Sequence, residues 1–301
     1  MGPTASGKTA LALQLANKFN IEVISVDSAL IYRGMDIGTA KPTAAEQAQV
    51  PHHLIDILDP TAHYSAGQFV QDATRLIEEI RQRGCAPLLV GGTMLYFKAL
   101  QFGLAKLPSQ DPILRADIAE RANKLGWGAL YNELVTLDPE WAAQINPHDT
   151  QRISRGLEVF YRSGEPLSQL QKQTTRPTSH PIMPLALIPE NRAVLHERIA
   201  MRVEQMLNQG LIEEIKALRQ QYSLHAGLPS MRAVGYRQVW QFLEGGIQES
   251  DLANQILFAT RQYAKRQLTW LKTWPALQAL PMEDPLEQIT TRLVQAGLPL
   301  R

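Results

Sequence analysis

Cysteine is almost absent from this chain: there is one, Cys85, in 301 residues. That excludes an internal disulfide framework and any cysteine-rich zinc site. No apolar run approaches the about 20 residues needed to cross a bilayer, and the first residues enter a glycine-proline turn rather than a signal-peptide core. No membrane partner is expected, and the cytoplasm is the expected compartment. An excess of either charge is also missing, since 30 Lys and Arg against 29 Asp and Glu leave a net charge of +1. A supercharged chaperone or a tail-driven nucleic-acid binder is thereby excluded, although a local basic face is not. Internal repeats and low-complexity stretches are lacking too. What is present, 45% hydrophobic and 20% charged residues, describes a globular chain long enough for about two domains.

The first hundred residues alternate two periodicities. Ile21–Val26, Leu54–Leu58 and Pro87–Val90 read as buried strands. Between them, the segment from Lys8 to Phe19 sets Leu11, Leu15 and Phe19 on one helical stripe. The segment from Phe69 to Arg83 does the same with Phe69, Val70, Ala73, Ile77 and Ile80, and Gly84 stops it. Strands alternating with helices imply parallel βαβ units. From Pro108 to about Pro177 every periodic segment is helical, notably Asp111–Leu125 and Asp149–Arg162, the latter closed by Gly164. A strand-like run at Met183–Ile188 then precedes helices over 191–209, 211–221, 231–243 and 250–274. The expected fold class is α/β: a parallel-sheet core with C-terminal helices (1–107 and 177–301), interrupted by an all-helical insertion (108–176).

The motif that carries chemistry is Gly2-Pro3-Thr4-Ala5-Ser6-Gly7-Lys8-Thr9, which fits G-x-x-x-x-G-K-[ST] and opens an amphipathic helix. Its glycines let successive backbone N–H groups face one concavity, a nest for phosphate oxygens, toward which the helix directs its positive end. Lys8 adds a point charge for the terminal phosphate, and the Thr9 hydroxyl suits a Mg²⁺ ligand. A P-loop ordinarily follows a central strand, but only Met1 stands before Gly2 here. The expectation is a truncated first strand, a hydrophobic slot, and a frayed loop with few contacts around Lys8.

Asp27 stands at the carboxyl end of a predicted parallel strand, where such sheets place ligands. The bland alternatives are a helix N-cap or a group behind a metal ligand. With the segments that follow, the sequence resembles the tRNA dimethylallyltransferases, also called tRNA isopentenyltransferases. Asp27-Ser-Ala-Leu, Tyr32 and Gly34-Met-Asp-Ile-Gly-Thr-Ala-Lys-Pro42 resemble the family's second signature, and Pro51-His-His-Leu-Ile-Asp56, with Tyr64-Ser65 and Phe69, its third. Gly91-Gly92-Thr93 with Leu95-Tyr96 is similar to a fourth. Asp149–Glu158, Arg232–Arg237 and Arg261-Gln-Tyr-Ala-Lys-Arg-Gln267 complete the set, so the resemblance spans essentially the whole chain.

The resemblance implies transfer of the dimethylallyl group of dimethylallyl diphosphate to N6 of the adenosine on the 3′ side of a tRNA anticodon. It implies Asp27 as the base that orients and deprotonates the amine, with Thr93 at the same channel and Lys8 and Arg202 on the diphosphate. It further implies tRNA contacts from Asp27, Ser28, Ala29 and Leu30, from Arg115, from Gln151, Arg152, Ile153, Ser154 and Arg155, and from Arg232, Ala233, Val234, Gly235, Tyr236 and Arg237. Gln151 and Arg155 would share a helix face, and Tyr236 could offer a stacking ring. The four basic residues between Leu252 and Met282 (Arg261, Lys265, Arg266, Lys272) add a candidate face for the anticodon stem-loop. Arg202 by itself reads equally as a solvated helix arginine beside Arg198. His52-His53, without a third ligand, reads as structural, and Trp270 and Trp274 read as core. A monomer is expected. Two alternatives stay open: a P-loop small-molecule kinase, and an impaired tRNA-binding remnant.

Overall fold

The computed structural model describes every residue except 175, 176 and 179. The chain forms two compact units, Met1–Lys98 with His180–Arg301, and Ala99–Ser179. In the first, Gly7, in the left-handed region at φ 87, turns the loop into α1 (Lys8–Ala16). The buried face of α1 packs toward β1 (Ile21–Val26), which is buried at all six residues. Next come α2 (Ala44–Gln49), β2 (His52–His53), α3 (Ala66–Gln82) and β3 (Ala86–Gly91). Reciprocal caps start both helices, Thr43 with Glu46 and Ser65 with Gln68. Helix α4 (Met94–Phe102) carries the chain out of this unit.

The described elements of the second unit that follow are all helices: α5 (Pro112–Leu125), α6 (Trp127–Leu137), α7 (Pro139–Ala142), α8 (Thr150–Ser163) and α9 (Leu167–Lys172). Asp111 caps α5, and Asp149 with Gly164 brackets α8. Its core gathers Ile118, Leu130, Leu134, Ile153 and Leu157.

Back in the first unit lie β4 (Leu185–Ile188), α10 (Arg192–Asn208), α11 (Leu211–Gln221), α12 (Tyr236–Leu243) and α13 (Glu249–Lys272). Strand β5 (Gln278–Pro281) and α14 (Leu286–Gln295) follow. The strands make two parallel sheets, β2-β1-β3 and β4-β5. In the first, Ile21–Val26 pairs residue by residue with Ala86–Gly91. No helix among the described residues is long and apolar enough to cross a membrane.

Four expectations are corrected. The strand expected over Leu54–Leu58 is only His52–His53. Leu54 and Asp56 take left-handed φ of 63° and 54°, and the Asp56 and Leu58 N–H groups donate to Leu30 and Ile31 carbonyls instead of a ladder. The helix expected from Met231 begins at Tyr236, after a turn that ends at Gly235. Trp270 is not core: it is 36% exposed with the Lys98 ammonium 5.6 Å from its ring centre, while Trp274 is buried. The phosphate loop is not frayed. The Met1 amine donates to the Leu185 carbonyl (2.7 Å) and the Leu187 N–H to the Met1 carbonyl (3.0 Å), so Met1 pairs with β4.

Candidate functional site

The loop before α1 curls over its own lysine. Lys8 Nζ donates to the Pro3 carbonyl at 2.6 Å and to Ser6 Oγ at 3.4 Å, which folds the ammonium under the nest. Burial, reinforced by the nearby Arg202 charge and offset by Asp27, lowers its pKa to about 7. An anion arriving in the loop would restore its full charge.

Asp27 follows the last residue of β1. Its Oδ1 accepts the Ala29 N–H at 2.9 Å, an Asx turn that aims the carboxylate back over the sheet end. Asp27 is not a helix N-cap. Its negative charge reaches Lys8, Arg202, Tyr96 and Tyr263, which makes it the electrostatic centre of the site. Arg202, on α10, donates to the Thr39 carbonyl at 3.1 Å. Burial lowers its pKa, with Asp27 opposing, so it is not the solvated helix arginine that its neighbour Arg198 suggested. Thr93 closes the fourth side, in the turn after β3. Its N–H donates to the Val26 carbonyl (3.2 Å), and its Oγ1 accepts the Ser28 N–H (3.1 Å). Four sequence-predicted residues on four different elements thus meet at one end of the parallel sheet, as the switch-point rule expects.

Three residues of the site were absent from the predicted set. Gln267 bridges Thr4 and Gly92, and Tyr263 stands beside Thr93 and Gln267. Burial above all, with Asp27 adding, pushes the Tyr263 hydroxyl well above the usual tyrosine range. Both sit in the 261–267 motif, which in sequence is only a basic helical run. Glu214 is the third. Its carboxylate accepts the N–H groups of Asp36 (3.0 Å), Ile37 (2.6 Å) and Gly38 (3.3 Å) and the Tyr236 hydroxyl (2.5 Å). It thereby holds the 34–42 loop, whose Lys41 is itself paired with Asp36 and Asp56. Glu214→Ala would strand three N–H groups and a buried hydroxyl. It is expected to cost about 2–3 kcal/mol, read as a lowered midpoint in urea unfolding.

The segments expected to meet RNA divide by exposure. Tyr236 is 0% exposed and bound to Glu214, so it is not a stacking ring but a prop for the loop. Its flanking Arg232 and Arg237 are exposed, Ala233 and Val234 are half-buried, and Gly235 is buried. Ser28 is exposed, and Ala29 and Leu30 are half-buried.

In the helical unit, Ile153 is core and Ser154 is half-buried, whereas Gln151 and Arg152 face solvent. Arg115 and Arg155 both grip Glu158, a carboxylate that is itself 0% exposed. Burial pushes Glu158 up, but the Asp111 N–H and the two guanidiniums more than offset that and hold it below the usual carboxylate range. Their first task is therefore structural. Gln151 and Arg155 do not present one shared exposed face.

Each of the two histidines is engaged in a hydrogen bond. His52 Nδ1 bonds to the Val50 carbonyl and His53 Nε2 to Glu22. Among the described residues, no three His, Cys, Asp or Glu side chains are placed to hold a metal ion.

Residues 30–274 match the family model described as IPP transferase. A tRNA dimethylallyltransferase of Alkalilimnicola ehrlichii is 56% identical over 272 residues, 90% of this chain and 86% of the relative. That of Thiobacillus denitrificans is 51% identical over 299 residues, 99% of this chain and 96% of the relative. Among solved structures, a full-length tRNA isopentenylpyrophosphate transferase of Bacillus halodurans superposes with a TM-score of 0.69. It is 38% identical, covering 98% of this chain and 94% of that one. A eukaryotic dimethylallyltransferase crystallised acting on tRNA gives a TM-score of 0.79 at 28% identity, covering 100% of this chain and 79% of that one. Each of these relatives is named as a transferase and none as a kinase.

Proposed function

This chain belongs to the IPP transferase family of tRNA dimethylallyltransferases, and from that premise we propose how its site divides the reaction. The enzyme transfers a dimethylallyl group to N6 of the tRNA adenosine 3′ to the anticodon. The donor is dimethylallyl diphosphate. Its C1–O bond breaks, the electron pair leaves with diphosphate, and the allylic cation is resonance-stabilised. The amine N6 forms the new bond to C1 and gives up one proton, which Asp27 accepts.

Each residue has a separable task. The nest from Gly2 to Thr9, with Lys8 and Arg202, gathers charge where diphosphate accumulates it. Asp27 and Thr93 lie on the other side, toward the nucleophile. An adenine stacked in an anticodon loop must be turned out of its stack to reach them. In the first unit the exposed Arg232 and Arg237 suit an RNA backbone, as do the exposed Gln151 and Arg152 in the helical unit. Magnesium suits the same cradle. With no acidic trio among the described residues to hold the ion, Thr9 and the substrate's own phosphate oxygens would be its ligands, and it would neutralise charge on the leaving diphosphate. The enzyme's tRNA substrate supports a cytoplasmic setting.

The single observation that carries this reading is the convergence of Lys8, Arg202, Asp27 and Thr93. It joins an anion cradle to a carboxylate at one end of the parallel sheet. The test is nucleoside mass analysis of tRNA incubated with the protein, Mg²⁺ and dimethylallyl diphosphate. One adenosine is expected to gain a single five-carbon unit. Unmodified tRNA alongside ATP-dependent phosphorylation of an acceptor would overturn the reading.

A further inference from the structure

Gln267 is a buried amide on α13 with both ends engaged. Its Oε1 accepts the Thr4 N–H of the phosphate loop at 2.8 Å, and its Nε2 donates to the Gly92 carbonyl at 2.9 Å. The fit is close: a Cβ on Gly92 would come within 2.2 Å of that Nε2. One turn earlier on the same helix, Tyr263 stands beside the side chains of Thr93 and Gln267. Thr93, the residue after Gly92, accepts the N–H of Ser28, the neighbour of Asp27. A continuous run of bonds therefore leads from the diphosphate cradle, through α13, to the turn that carries the base.

We propose that Gln267 and Tyr263 are positioning residues that set the separation between the leaving diphosphate and the base-bearing Asp27 turn. The inference rests on the prenyl-transfer reading of this site. An allylic cation is captured by whichever nucleophile stands nearest, so the cradle and the amine must be held in register. A displacement of about 1 Å is enough to cost about 10²-fold in rate. Glutamine suits the task because one side chain must accept from a backbone N–H and donate to a backbone carbonyl at once. A glutamate at this place keeps the Thr4 bond but turns an acceptor toward the Gly92 carbonyl, so the cradle stays anchored and the link to the base turn is lost.

The experiment uses the full chain, tRNA and dimethylallyl diphosphate labelled at C1, and compares Gln267→Glu and Tyr263→Phe with the parent protein. Diphosphate released and prenyl groups transferred are counted separately. Gln267→Glu is expected to lower kcat about 10²-fold with KM for tRNA within about twofold, and to release diphosphate in excess of prenyl transfer. Tyr263→Phe, which removes one oxygen, is expected to lower kcat about tenfold and to shift the same ratio less. If Gln267→Glu does not fold, Tyr263→Phe decides alone. Unchanged kcat, or a loss that follows only the fraction folded with release and transfer still equal, overturns the inference while leaving the reaction assignment intact. A parent protein that transfers no prenyl group brings down the assignment, and this inference with it.

Discussion

Asp27→Asn is expected to lower prenyl transfer about 10³-fold, within the range a positioned general base supplies, while tRNA affinity stays within a few-fold. The asparagine Oδ1 can still accept the Ala29 N–H, so the turn after β1 keeps its shape and only the charge and the basicity are lost. The amine of adenine is a weak nucleophile because its lone pair is delocalised into the ring. With no acceptor for its proton, the new N6–C1 bond must form on a cationic nitrogen. One secondary effect has a known sign. Asp27 raises the pKa of Lys8, so its neutralisation makes that lysine easier to deprotonate. Comparing parent and variant well below pH about 7, where the lysine holds its proton in both, limits that contribution. A tRNA affinity that collapses together with turnover, in a filter-binding titration, would show Asp27 to be a structural group.

Lys8→Ala is expected to act on the other half of the reaction, lowering kcat/KM for dimethylallyl diphosphate by about 10²–10³-fold. The parent enzyme should report the same lysine in its pH profile. Free Lys8 is charged below about pH 7 and neutral above it, and only the charged form attracts diphosphate. The kcat/KM for the donor should therefore fall as pH rises through that value. A bound diphosphate draws the pKa back up, so kcat should hold to higher pH than kcat/KM. Lys8→Arg keeps its proton throughout and should lose this alkaline limb.

Stability runs the opposite way. Between about 7 and 10.5 the unfolded chain binds a proton at Lys8 that the folded protein does not, so this group's contribution to stability rises with pH across that window. A donor kcat/KM that is flat from neutral to alkaline pH would mean that the nest amides and Arg202 bind the donor without Lys8.

The phosphate loop was legible because its chemistry is local. Two glycines, a lysine and a hydroxyl within eight residues suffice to curl a backbone around an anion. Strand β1 was legible for a different reason: both its faces are buried, so Ile21–Val26 is β-branched and apolar at four of its six positions and leads directly into Asp27. The helical unit was legible from its caps, Asp111, Asp149 and Gly164, which stand where the described helices begin and end.

The failures share one cause. Leu54–Leu58 has the composition of a strand, but its N–H groups are taken by the carbonyls of Leu30 and Ile31, far away in sequence. Tyr236 reads as an aromatic beside arginines, yet the Glu214 carboxylate holds it inside.

The sequence by itself determined the local things: the anion nest, the buried strand feeding Asp27, and the helix boundaries, all set by contacts within a few residues. It also carried, as a string of motifs, the family to which the chain belongs. Only the tertiary structure decided which polar groups are used up holding the fold and which are left for chemistry. A side chain's charge is written in its residue type, but its partner is chosen by packing. Gln267, Tyr263 and Glu214 acquire their tasks only when α13 and α11 are laid against loops more than 170 residues away.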